Sequence, residues 1–132
     1  MSAWLTSAER VMACISPSSP ATNVIRVASD LARKLHASWY GVYVDTRSED
    51  ARRSRSLRES IDAVERLGGI VVHVTADSPV EGLVAFRHRE GVSHVVLRES
   101  RRSRWPGSSR RSVSTRLMAQ MFGVNVVVVP LR

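Results

Sequence analysis

The segment Arg98 to Ser112 concentrates the residues most able to do chemistry, reading Arg-Glu-Ser-Arg-Arg-Ser-Arg-Trp-Pro-Gly-Ser-Ser-Arg-Arg-Ser. Extended to Arg116 it holds seven arginines against one acid, Glu99, and so supplies +6 of the chain's formal net charge of +8. Guanidinium forks grip phosphate and carboxylate oxygens in pairs and stack on flat rings, so a compact set of them wants an anionic partner. Trp105 beside Arg104 adds a surface that can stack on a ligand or dock on another domain. Nineteen of the twenty basic residues are arginine, Lys34 being the exception, and a biased genome would enrich arginine too. Location therefore weighs more than number. A second set, Arg47, Arg52, Arg53, Arg55 and Arg58, falls where a loop enters a helix and reads as a solvated face.

Other reactive types give less. His36, His73, His88 and His94 are scattered without metal-ligand spacing, which fits surface or satisfied histidines. Asp45 and Asp77 follow strands, where a carboxylate can act as a base but more often caps a helix. The single cysteine, Cys14, lies in an apolar run; it reads as core packing, excludes an internal disulfide and suits a reducing compartment. Neither a nucleophile elbow nor a Walker loop is present. The sequence therefore carries no catalytic constellation.

The elements that must position these residues alternate strictly. Val11 to Ile15 is a strand of buried type, followed by the polar turn Ser16-Pro17-Ser18-Ser19-Pro20, which also offers helix caps. The next helix puts Val24, Val27, Ala28, Leu31 and Leu35 on one face. Trp39 to Val44 is the second strand, and a helix with Leu57, Ile61 and Val64 inward stops at Gly68-Gly69. Ile70 to Thr75 is the third strand. Asp77-Ser78-Pro79 opens a helix with Val80, Leu83 and Val84 inward, ending near Gly91. Ser93 to Leu97 is the fourth strand, a helix with Val113, Leu117, Met118 and Met121 runs to Gly123, and Val126 to Val129 is the last strand.

Strict β/α alternation with near-uniformly apolar strands predicts an α/β fold, a single open five-stranded parallel sheet with helices on both faces. With the order 3-2-1-4-5, the ligand crevice lies beyond the strands' carboxyl ends where the winding reverses, bordered by Ser16 to Ser19 and Arg98 to Ser112. At 132 residues and 43% hydrophobic composition, residues 1–132 suit one domain with one core. No apolar run approaches the ~18 residues of a membrane span, and a signal-peptide core is missing.

The order of elements, together with Arg-Val-Met-Ala-Cys-Ile-Ser-Pro-Ser at 10 to 18, Trp-Tyr-Gly-Val-Tyr-Val-Asp-Thr at 39 to 46 and Arg-Arg-Ser-Arg-Trp at 101 to 105, resembles a universal stress protein domain. The aromatic second strand and the Arg/Ser/Trp loop narrow the resemblance to the version in KdpD-type potassium sensor histidine kinases. It implies the adenine nucleotide alpha hydrolase-like fold and a non-catalytic, cytoplasmic regulatory module excised from a longer kinase in the plasma membrane.

Two ligand motifs of the family can be set against the residues. ATP-binding members carry G-x2-G-x9-G-[S/T] after the fourth strand; here those places are Arg98, Arg101, Arg111 and Ser112, and only Ser112 fits. The aspartate that ATP binders place after the first strand is Ser16 here. The motif associated with cyclic di-AMP, S-x-S-x20-F-T-A-x-Y, is met in spacing by Ser16, Ser18, Trp39 and Tyr43, while Tyr40 and Gly41 depart from it. Tyr40 is the departure that bears on binding, since a bulky ring there would fill the purine's space.

The resemblance thus implies a pocket in which Ser16 and Ser18 bond the nucleotide, and Trp39 or Tyr43 shapes the adenine site. Arg98, Arg101, Arg102 and Arg104 would meet the phosphates. Cyclic di-AMP is the first candidate ligand and ATP the second, with no cofactor or metal required. A rival expectation is a docking scaffold that binds an acidic partner, such as a free-standing universal stress protein, alongside the other domains of the kinase. Homodimerisation is left open. Nucleic-acid binding ranks last, since beyond Trp105 no aromatics interleave the arginines.

Overall fold

In the computed structural model, the described residues are 8–16, 21–46, 55–99, 117, 119–121 and 123–130. Five strands form one sheet: β1 (Arg10–Ile15), β2 (Ser38–Asp45), β3 (Ile70–Thr75), β4 (His94–Arg98) and β5 (Asn125–Val129). Their order is β3-β2-β1-β4-β5 and every pairing is parallel. The expected sheet is therefore the observed one, with strand ends shifted by a residue where pairing runs past the apolar run.

Three helices connect these strands: α1 (Thr22–Leu35), α2 (Arg55–Arg66) and α3 (Pro79–Glu90). Leu117 and Ala119 are also helical; most of the helix expected before Gly123 lies outside the described residues. Alternation along the strands divides the core into two layers. On one face Val11, Ala13, Ile15, Trp39 and Val96 pack under α1 and α2, against Val24, Ile25, Ala28, Leu57 and Val64. On the other, Met12, Val42, Val44, Val95 and Leu97 pack with Val80, Leu83 and Phe86 of α3 and with Leu117 and Met121. Both layers meet at β1, where Val11, Met12 and Ala13 are all 0% exposed. Such strands have no polar face, which is why they read as continuous apolar runs.

Helix ends follow the expected chemistry in one case and depart from it in another. Ser78 caps α3, its Oγ accepting from the Glu81 N–H at 3.1 Å, with Pro79 in the first turn and Gly91 left-handed at the end. At α1 the cap position is Ala21, which makes no side-chain cap, and Ser18 and Ser19 of the preceding turn lie outside the described residues. Instead the Ala21 N–H donates to Oγ of Ser60, a fully buried residue of α2, at 3.2 Å. A buried hydroxyl thus ties the start of α1 to the neighbouring helix.

Gly41 has a steric reason. A Cβ there would sit 2.5 Å from Val64 Cγ2 and 3.0 Å from Ile15 Cδ1, so α2 approaches β2 to a distance that only hydrogen permits. Gly41→Ala, which restores the motif residue, is expected to lower stability by about 1–3 kcal/mol through overpacking. Urea unfolding checks this; an unchanged midpoint would show that Val64 yields freely.

Candidate functional site

A parallel sheet covered on both faces leaves polar chemistry to its strand ends. Here the chain winds from β1 to β2 and β3 on one side and to β4 and β5 on the other, so the reversal falls between β1 and β4. At the carboxyl ends the register draws a row across the sheet. Tyr43 pairs with Ile15 on one side and with His73 on the other. Ala13 pairs with Val96, so two residues further on Ile15 and Arg98 fall level, and Arg98 pairs with Val129. By alternation Arg98 shares the face of Val96, which is the face of Ile15 and Tyr43.

Tyr43 and Arg98 therefore flank the end of β1, one strand to either side. At about 4.8 Å per strand their backbones stand roughly 10 Å apart. Ser16 follows immediately, exposed beyond Ile15. The N-terminus of α1 lies on this edge too, because the helix starts where the chain returns from β1, and its first turn holds no acid. The N–H groups of its first turn, which have no partner within the helix, and the positive end of the helix dipole face that side.

The remaining expected residues fall into two groups. Ser18, Arg101, Arg102, Arg104 and Ser112 lie outside the described residues. Trp39 is described, and it corrects the expectation that this ring shapes the adenine site. It sits near the start of β2, paired with Val11, 5% exposed in the α1/α2 layer, with its indole pressed against Gly69. Four residues along a strand separate it from Tyr43 by about 13 Å, so it belongs to the opposite end of the sheet. Tyr40 is corrected in the same way. Its ring points to the α3 face and meets Phe86 edge-on at 5.3 Å, so it fills no space beside Tyr43.

The structure adds His73 to this edge and gives Asp45, which the sequence already set at the strand ends, a partner there. Asp45, expected as a helix cap, is 4% exposed and holds its Oδ2 3.3 Å from His73 Nε2. The His73 ring stacks on Tyr43 with centroids 4.9 Å apart and planes 11° from parallel. A signal existed in the sequence: an acid ending an apolar strand, two residues after a tyrosine, faces a histidine on the next strand only once the register is known.

At the opposite end of the sheet His94 lies 2.9 Å from Ser93 Oγ and 3.4 Å from Glu9, and Arg10 donates to the Glu90 carbonyl at 2.7 Å. Those contacts join the chain start to β4 and leave that end a structural seam. Among the described residues no group of three or more His, Cys, Asp or Glu side chains could hold a metal ion. No described helix is long and apolar enough to cross a membrane.

Comparisons with known proteins agree with this geometry. No family model matches the chain. A universal stress protein solved in complex with cAMP superposes with a TM-score of 0.75 at 18% identity, over 96% of this chain and 100% of that one. A universal stress protein from Archaeoglobus fulgidus, in complex with dAMP, superposes at 0.63 with 15% identity, over 94% and 97% of the two chains. At these identities the likeness is one of fold, and that fold is the universal stress protein fold. In sequence the chain is 27% identical over 94 residues, 70% of its length, to the sensor protein KdpD of Clostridium acetobutylicum. The chain thus has the universal stress protein fold and is similar in sequence to a KdpD sensor protein, of whose length it spans about a tenth.

Cys14, near the end of β1 on the α3 side, keeps part of its surface open, but desolvation of the thiol pushes its pKa up from 9.0 to about 12. It is expected to label far more slowly than a free thiol at pH 8 and to react fully only in denaturant. Since the folded pKa is raised, this group costs nothing below pH 9.0 and lowers stability as the pH climbs towards 12, where only the unfolded chain ionises readily. Cys14→Ala should lose that part of the alkaline decline, measured by thermal unfolding across the range.

Proposed function

We propose that the chain is a non-catalytic regulatory domain, residues 1–132, of a longer KdpD-type sensor histidine kinase in potassium homeostasis and two-component signalling, placed on the cytoplasmic side of the membrane. On this reading it binds an anionic adenine nucleotide at the carboxyl edge of its sheet, cyclic di-AMP first and ATP second. The observation that carries the reading is the row Tyr43, Ile15, Arg98 with Ser16 beyond it, which sets an aromatic ring and a guanidinium on either side of the strand where the winding reverses. That is where open α/β sheets take ligands. Two proteins of this fold solved with adenine nucleotides, cAMP and dAMP, support the ligand class.

Roles follow from the chemistry of each group. Tyr43 offers an aromatic face or edge to adenine, Ser16 and Ser18 hydroxyls bond phosphate or base edges, and the α1 N-terminus favours negative charge. Arg98, joined by Arg101, Arg102 and Arg104 and by Ser112, neutralises the phosphates. Trp39 takes no part, being core. The three motif glycines that wrap the triphosphate of ATP are Arg98, Arg101 and Arg111 here, which ranks ATP below a ligand held by side chains. Binding regulates the kinase only to the extent that the ligand's affinity differs between the kinase's two states.

Titration calorimetry of the 132-residue chain with cyclic di-AMP, cAMP, ATP and a random oligonucleotide tests the reading. Saturable micromolar binding of cyclic di-AMP is expected, weakened by Ser16→Ala/Ser18→Ala. Tyr43→Ala is expected to weaken it about 5- to 100-fold, as the loss of one base stack does. If no nucleotide binds, the nucleotide reading falls and the acidic-partner scaffold replaces it. Binding of the oligonucleotide alone, with steep salt dependence, would point to nucleic acid instead.

A further inference from the structure

A buried carboxylate near the end of an apolar strand is costly unless something stabilises its charge, and among the described residues Asp45 and Ser60 are the buried polar side chains. Asp45 lies on β2 with its side chain 5% exposed, while that of His73, on the neighbouring strand, is 40% exposed. Ionised carboxylates only accept hydrogen bonds, so the proton of this 3.3 Å contact sits on His73 Nε2, which donates to Oδ2. That bond fixes the tilt of the imidazole. The same ring lies flat against Tyr43 at 4.9 Å, and Tyr43 is held across β2 and β1 by its register with Ile15. Among the described residues β3 is an edge strand, so His73 is the last ring of this row and no further described strand holds it. The carboxylate does that instead.

We infer that His73, oriented by Asp45, is a positioning pair for Tyr43, locking the phenol ring in the attitude in which it meets the adenine. The inference rests on the nucleotide reading above and extends it to two residues outside both ligand motifs. A ring free to sample several rotamers loses that freedom when a ligand binds, whereas a ring already stacked has lost it beforehand, so the stack raises affinity without touching the ligand. Neither His73 nor Asp45 has to contact the nucleotide. Their effect travels through one aromatic contact.

Four variants of the full chain separate this role from simple structural support. His73→Leu, which removes both stack and hydrogen bond, is expected to weaken cyclic di-AMP binding about 3- to 10-fold, the usual range for losing one aromatic pair. His73→Phe keeps a flat ring and should recover most of the affinity, whereas His73→Gln keeps a donor near Asp45 without the ring and should not. Asp45→Asn should fall between parent and His73→Leu. In the absence of ligand, the ring-proton chemical shifts of Tyr43 should move in His73→Leu and His73→Gln, with melting temperatures recorded to confirm folding. Binding by His73→Leu as tight as by the parent, or equal recovery by Gln and Phe, overturns the inference and leaves the nucleotide reading standing. Unmoved Tyr43 shifts overturn it without any ligand. A parent chain that binds no nucleotide overturns both.

Discussion

Everything in this structure depends on the enclosure of β1. Three consecutive residues, Val11, Met12 and Ala13, are completely withdrawn from water because helices cover the sheet on both sides. A strand in that position satisfies its backbone only through its two neighbours, β2 and β4, and can carry no polar side chain along its middle. Burying those three side chains contributes at about 25 cal/mol per Å² of apolar surface, a gain that would be lost if either layer lifted. Polar function is thereby pushed to the strand's end, where Ser16 emerges beside Tyr43 and Arg98.

That constraint also explains what could be read from residues alone. Apolar runs broken by Gly, Pro and Ser gave the element order, and strict alternation with right-handed crossovers left few sheets to choose from; the order 3-2-1-4-5 was the one found. Helix ends were readable where the chemistry is local, as at Ser78-Pro79 and Gly91. They were not where a partner comes from far along the chain. Nothing near Ala21 announces that its N–H will be met by Ser60, thirty-nine residues away on a different helix.

The site shows the same division. The sequence placed Trp39 and Tyr43 on one strand, which is correct, but spacing does not tell which end of a strand a ligand visits. Trp39 lies near the amino end, where a large apolar ring fills the gap above Gly69, and Tyr43 near the carboxyl end. The pair Asp45 and His73 was invisible for a related reason: its two members are twenty-eight residues apart, and only the β2/β3 register brings them together. Position in the sheet, rather than residue type, decides the role of each.

Arg98 gains a definite meaning from that position. Within the arginine-rich stretch it is the residue that ends a strand, so its backbone is fixed by pairing with Val129 while Tyr43 stands across β1 from it. The account's central claim is that ligand chemistry occupies this edge and not the seam of Glu9, Arg10, Ser93 and His94 at the other. Backbone amide chemical shifts of the isotope-labelled chain, followed while cyclic di-AMP is added, test it most directly. The account predicts saturating shifts at Ser16, Tyr43, Arg98 and Glu99 with Arg10, Trp39 and His94 unmoved; shifts confined to the seam, or none anywhere, would contradict it.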